Sequence, residues 1–189
     1  MEQRLEPYKQ LEQAFAQWQG LDPKHMVASS SGTAALHLAL EVLQLPRGSK
    51  VLVPDLTMVA CARAVTLAGL EPIFVDCDER LLIDWDLLSY EKMLELDTKI
   101  LLKALLIVHT YGRRFHWPNW YNNCGSGFYI IEDLAEAHGV KPHEFSVAAC
   151  WSFYKKDVDT ICIRFLELIN KNPKIIYIKS YKKADINKF

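Results

Sequence analysis

The chain has no apolar run long enough to span a bilayer, so a membrane-spanning role is not expected. Its start, Met1-Glu2-Gln3, does not resemble a secretory signal. No pair among its five cysteines (Cys61, Cys77, Cys124, Cys150 and Cys162) has metal-ligand spacing, and the six histidines are scattered, so a metal centre has no support. An odd number of cysteines without a framework reads as reduced thiols, which points to the cytoplasm. No basic cluster lies in the first 150 residues, which removes the usual footprint of nucleic-acid binding. Glycine, finally, does not occur after Gly139.

What is present is the composition of a globular domain: 189 residues, 50% hydrophobic and 24% charged, with a formal net charge of −1. That balance hides a break. Residues 1–154 carry 13 basic and 19 acidic side chains, whereas residues 155–189 carry 9 and 4. In the latter stretch Ile, Lys and Asn make up 18 of 35 residues. The expectation is one domain over 1–154 followed by a divergent tail over 155–189.

Within the domain, apolar periodicity alternates between the two regular types. Tyr8, Leu11, Phe15 and Trp18 are spaced for an amphipathic helix that Gly20 closes. Strands are expected at Met26–Ala28, Lys50–Pro54, Pro72–Val75, Leu101–Val108 and Ser146–Trp151, with helices at Ala34–Leu45, Leu56–Ala68 and Trp85–Leu96, the last capped by Asp84. Residues 113–127 read as a surface connection without chemistry. Strand–helix–strand units of this length predict a largely parallel sheet covered on both faces.

Two junctions carry chemistry. Ser29-Ser30-Ser31-Gly32-Thr33 stands between strand and helix, where exposed first-turn N–H groups and the helix dipole suit a phosphate. A plain N-cap by Ser31 or Thr33 explains the same residues. The second is Tyr129-Ile130-Ile131-Glu132-Asp133-Leu134-Ala135-Glu136-Ala137-His138-Gly139. It reads as a buried strand ending in Asp133, then one or two helical turns. Ligands of open α/β sheets sit beyond such strand ends. Asp133 either meets a positive partner there or merely caps the helix.

Four ordered segments resemble the DegT-type family of sugar aminotransferases: Ser30–Leu36, Val53–Met58, Ile131–Gly139 and Trp151-Ser152-Phe153-Tyr154. The Thr57-Met58 and Cys150-Trp151 variants look most like its perosamine-synthase branch. The resemblance implies the large domain of an aspartate-aminotransferase-like, fold type I enzyme, here incomplete. It also implies pyridoxal 5′-phosphate, a nucleotide-linked 4-keto-6-deoxy sugar as substrate, glutamate as amino donor and a homodimer. Gly32, Thr33 and Ser152 would then hold the cofactor phosphate, and Asp133 its pyridine nitrogen. Met58 would stand where the family stacks an aromatic ring, and Glu136 beside the ring oxygen.

The pattern breaks after Tyr154. The family's Schiff-base lysine is expected five residues after Ser152, where this chain has Asp157. Lys156 and Lys155 come one and two residues early and are the candidates for its role. The glycine-rich continuation and second half of such enzymes do not follow. The tail is expected instead to form a helix over Val158–Asn170 and a strand over Lys174–Lys179, and its bias suggests a reading frame shifted near codon 155. Two functions therefore stand side by side: a sugar aminotransferase, or a truncated homologue that binds cofactor or a partner subunit without turnover.

Overall fold

The computed structural model describes residues 7–88, 101–117 and 128–152, and the backbone of 161–165; for residues 7 and 8 it also gives the backbone alone. Among the described residues seven strands form one sheet: β1 (Met26–Ser29), β2 (Lys50–Pro54), β3 (Glu71–Val75), β4 (Leu102–Val108), β5 (Tyr129–Asp133), β6 (Ala148–Ser152) and β7 (Ile161–Phe165). Their order is β1-β7-β6-β5-β4-β2-β3. The run from β3 to β6 is parallel throughout. β7 pairs antiparallel with both β6 and β1. β1 therefore points the same way as the parallel strands, and the carboxyl ends of six strands share one edge.

Parallel strands need crossovers, and helices α2 (Gly32–Val42) and α3 (Val59–Leu67) supply them on one face. Ala35, Leu36, Ala39 and Leu40 of α2 pack with Cys61, Ala64 and Val65 of α3 onto Val51, Val53, Leu106, Ile131 and Cys150. The alternate residues Leu52, Leu105, Ile107 and Ile130 face the other side, against Leu82, Ile83, Leu88 and Phe115. Burial on both faces explains why these strands read as unbroken apolar runs. Each such aliphatic side chain contributes roughly 1.5–3 kcal/mol.

Helix α1 (Pro7–Gln19) covers the second face nearer β6, where Phe15 and Ala16 meet Trp151, Ala149 and Leu134. Its docked stripe differs from the one expected, since Trp18 stays 61% exposed while Glu12 and Gln19 are buried. The reason is hydrogen bonding. Glu12 accepts the Ala28 N–H of edge strand β1 at 2.9 Å and pairs with Lys9 at 2.8 Å, and Gln19 donates to the His138 carbonyl.

Strand positions agree with the sequence to within a residue or two, but three expectations fail and a fourth is met in part. The segment after Asp133 is a series of turns rather than a helix. Asp133 engages the Ala135 N–H, and Leu134 N–H bonds the Cys150 carbonyl at 2.7 Å, so the chain is drawn onto the sheet before a helix can start. Asp84 does act as a cap, but of the short 3-10 turn Trp85–Leu87; residues 89–96 of the expected helix lie outside the described residues. The 113–117 part of the supposed surface connection reaches the core, with Phe115 only 3% exposed. Inside Val158–Asn170, the backbone at Ile161–Phe165 is a strand, because its β-branched isoleucines are paired on both sides. The strand expected at Lys174–Lys179 lies outside the described residues.

Candidate active site

Shared strand polarity brings the predicted residues to one edge. Gly32 and Thr33 open α2 just beyond β1, Met58 precedes α3 beyond β2, Asp133 ends β5, Glu136 lies three residues later, and Ser152 ends β6. Alternation from Ile131 and Cys150, which face α2 and α3, turns Asp133 and Ser152 to that same face. Lys155, Lys156 and Asp157 lie outside the described residues. Ser152, the last residue of β6, is paired with Ile161, the first of β7.

A cleft of about 160 Å³ opens at this edge, lined by Leu56, Thr57, Met58, His109, Thr110, Tyr111, Asp133 and Glu136 among others. It contains Met58, Asp133 and Glu136 of the predicted set; Gly32, Thr33 and Ser152 are not in its wall. The turn Thr110–Gly112 shapes one side. Tyr111 adopts φ 54° and Gly112 φ 74°, and a Cβ on Gly112 would stand 3.2 Å from the Glu136 carbonyl. The Tyr111 N–H donates to the Glu136 carboxylate at 2.8 Å, which fixes that side chain at the mouth.

Asp133 is 7% exposed. One oxygen accepts the Ala135 N–H at 2.9 Å, closing a turn; with no helix after Asp133, the capping reading does not hold. The other accepts the Cys61 thiol at 3.1 Å, and that sulfur in turn accepts the Thr57 hydroxyl at 3.0 Å. Burial raises the Asp133 pKa, and the hydrogen bonds from Ala135 and Cys61 only oppose that rise. Burial likewise pushes the Cys61 thiol far above its ordinary value, with the Asp133 charge adding to the effect, so it stays a protonated donor. Cys61 and Thr57 carry no sequence signal as partners of Asp133, because they act from in and around a helix some 72 residues away.

The helix junction shows the cap and leaves room for the anion reading. Ser31 is the N-cap of α2, and its hydroxyl accepts the Ala34 N–H at 3.2 Å. Its carbonyl takes the Ala35 N–H, which leaves the N–H groups of Gly32 and Thr33 without intrahelical acceptors. A cap and an anion site can thus coexist.

These features fit the group that the resemblance implies. A buried carboxylate with a raised pKa at a cleft wall is stabilised by a cationic N–H, which a protonated pyridine provides. Among the described residues no histidine, cysteine or carboxylate group forms a metal cluster, and no helix is long and apolar enough to cross a membrane.

Comparison with known proteins agrees with this geometry. Residues 5–161 match the DegT/DnrJ/EryC1/StrS aminotransferase family. GDP-perosamine synthase of Caulobacter vibrioides is 34% identical over 157 residues, covering 80% of this chain and 40% of that protein. The dTDP-4-dehydro-2,3,6-trideoxy-D-glucose 4-aminotransferase of Saccharopolyspora spinosa is 34% identical over 148 residues, covering 75% of this chain and 37% of that protein. Among solved structures, an aminotransferase of this kind from Brucella abortus superposes with a TM-score of 0.72 at 26% identity, over 84% of this chain and 46% of that one. The chain thus spans about 40% of the length of these curated relatives.

Proposed function

The chain belongs to the DegT/DnrJ/EryC1/StrS aminotransferase family, and from that premise we propose that it is the cofactor-binding part of a pyridoxal 5′-phosphate-dependent nucleotide-sugar aminotransferase. The observation that carries this reading is Asp133, a buried carboxylate in the cleft wall whose pKa burial raises. The cofactor, when bound, supplies an electron sink at the amino-bearing carbon.

In this reading each of the chain's own groups has a physical task. Asp133 accepts a hydrogen bond from the pyridine nitrogen and holds its proton there, while Cys61 and Ala135 keep the carboxylate oriented. The N–H groups of Gly32 and Thr33, which have no intrahelical acceptor and the helix dipole behind them, would hold the phosphate, and Ser152 would add a hydroxyl. Met58 offers a polarisable thioether to a ring face. Glu136, tethered by Tyr111, would stand beside the ring oxygen. Lys156, or failing it Lys155, would be the amine that holds the cofactor and moves the proton. The acceptor is a nucleotide-linked 4-keto-6-deoxy sugar and the donor glutamate; the names of the GDP- and dTDP-sugar relatives support the sugar class. By resemblance the protein works as a homodimer, and its free thiols Cys61, Cys77 and Cys150 suit the cytoplasm.

Asp157 at the place expected for lysine favours a second reading, cofactor binding without turnover. Borohydride reduction in the presence of pyridoxal 5′-phosphate, followed by peptide mapping, separates the two. A pyridoxyl mark on Lys156 or Lys155 supports the enzyme. Binding without a mark supports the second reading, and no binding removes both.

A further inference from the structure

Directly behind Asp133 lies a second buried polar group that the proposed chemistry does not use. Glu132 is 1% exposed and His109 is 2% exposed. Their side chains meet with His109 Nε2 at 2.7 Å from one Glu132 oxygen. The other oxygen accepts the His143 N–H at 2.7 Å and the Ser146 hydroxyl. His109 Nδ1 accepts the Phe115 N–H at 3.3 Å, so the ring proton is on Nε2 and is donated to the carboxylate.

The geometry links this pair to the site. Residues 132 and 133 are neighbours on β5 and project to opposite faces of the sheet. Anchoring Glu132 therefore fixes the rotation of the strand end, and with it the direction of the Asp133 side chain. His109 holds the same strand end a second time, because its N–H donates to the Asp133 carbonyl at 3.0 Å. It also begins the turn through Thr110 and Tyr111 that walls the cleft and tethers Glu136. One histidine thus couples the two acidic residues of the cleft through the backbone.

We propose that His109, at the strand end beside the cleft, and Glu132, on the far face of the sheet, are positioning residues for Asp133 that aim its carboxylate into the cleft. The inference rests on the cofactor reading above. A displacement near 1 Å is enough to cost about a hundredfold where orientation matters, so a small rotation of β5 is felt.

The test uses pyridoxamine 5′-phosphate, which needs no lysine, with affinity read by fluorescence titration and stability by thermal melting. His109→Leu removes the side-chain tie and is expected to weaken binding about tenfold. His109→Gln restores a donor at the same reach and should return affinity to within about threefold of the wild type. Ser146→Ala removes one hydrogen bond from Glu132 without touching the cleft, and should weaken binding by about threefold. Leu40→Ala, a core change in α2, lowers the melting temperature and should leave affinity unchanged. Overturning results are unchanged binding in both His109→Leu and Ser146→Ala, or losses that Leu40→Ala reproduces at equal melting temperature. Failure of the wild type to bind the probe would instead remove the cofactor reading, and this role with it.

Discussion

Glu132 and Asp133 are adjacent carboxylates on one strand, almost equally buried, and the structure treats them in opposite ways. Glu132 receives three hydrogen bonds, from His109, Ser146 and the His143 N–H. Burial works to raise its pKa, but those bonds outweigh burial and hold it below the ordinary value. Among the described residues Asp133 has two partners for its carboxylate, a backbone N–H and a thiol, and burial prevails over them. A carboxylate whose needs are met inside the fold stabilises the fold. One left short of partners at a cleft wall is stabilised only when a cation arrives.

Removing each group in turn should separate the two roles. Glu132→Ala leaves His109 and two donors buried without their acceptor, and should lower unfolding free energy by about 3 kcal/mol, read from urea denaturation. Asp133→Asn is nearly isosteric and should do the reverse to the fold, raising the melting temperature at pH 8 by about 2–4 °C. The same variant should weaken pyridoxamine 5′-phosphate binding by about thirtyfold, since a charge-assisted bond becomes a neutral one. Equal stability losses in the two variants would erase the distinction.

The pH dependence distinguishes them by sign. Glu132 titrates lower in the fold than its ordinary 4.5, so its stabilisation is complete above that value and is lost as pH falls through the native pKa. Asp133 titrates above its ordinary 3.8, so stability declines as pH rises from there through the raised native pKa. Melting temperature against pH should therefore keep its acid-side fall in Asp133→Asn and lose its decline at higher pH. A smaller effect is expected at Cys61. Cys61→Ser keeps a donor to Asp133 and should hold cofactor affinity, whereas Cys61→Ala should weaken it by about threefold.

The sheet was legible in the sequence because double burial leaves unbroken apolar runs, and β2 at Lys50–Pro54 is the plainest case. Asp133 was legible for a related reason, a charge ending such a run. What could not be read were groups whose role depends on distant contacts. Cys61 looks like any core thiol on α3 until β5 is laid against it, and Glu132 looks like a companion of Asp133 until their opposite faces are seen. The turns after Asp133 and strand β7 within an expected helix share this cause: tertiary partners overrode local propensity.

Whether Asp133 keeps a proton on the cofactor's ring nitrogen can be read by nuclear magnetic resonance. With pyridoxamine 5′-phosphate labelled with 15N in the ring, the wild-type complex at pH 8 should show the shift of a protonated pyridine, and the Asp133→Asn complex that of a neutral one. An unprotonated nitrogen in the wild type, or the same shift in both proteins, would overturn the role given to Asp133.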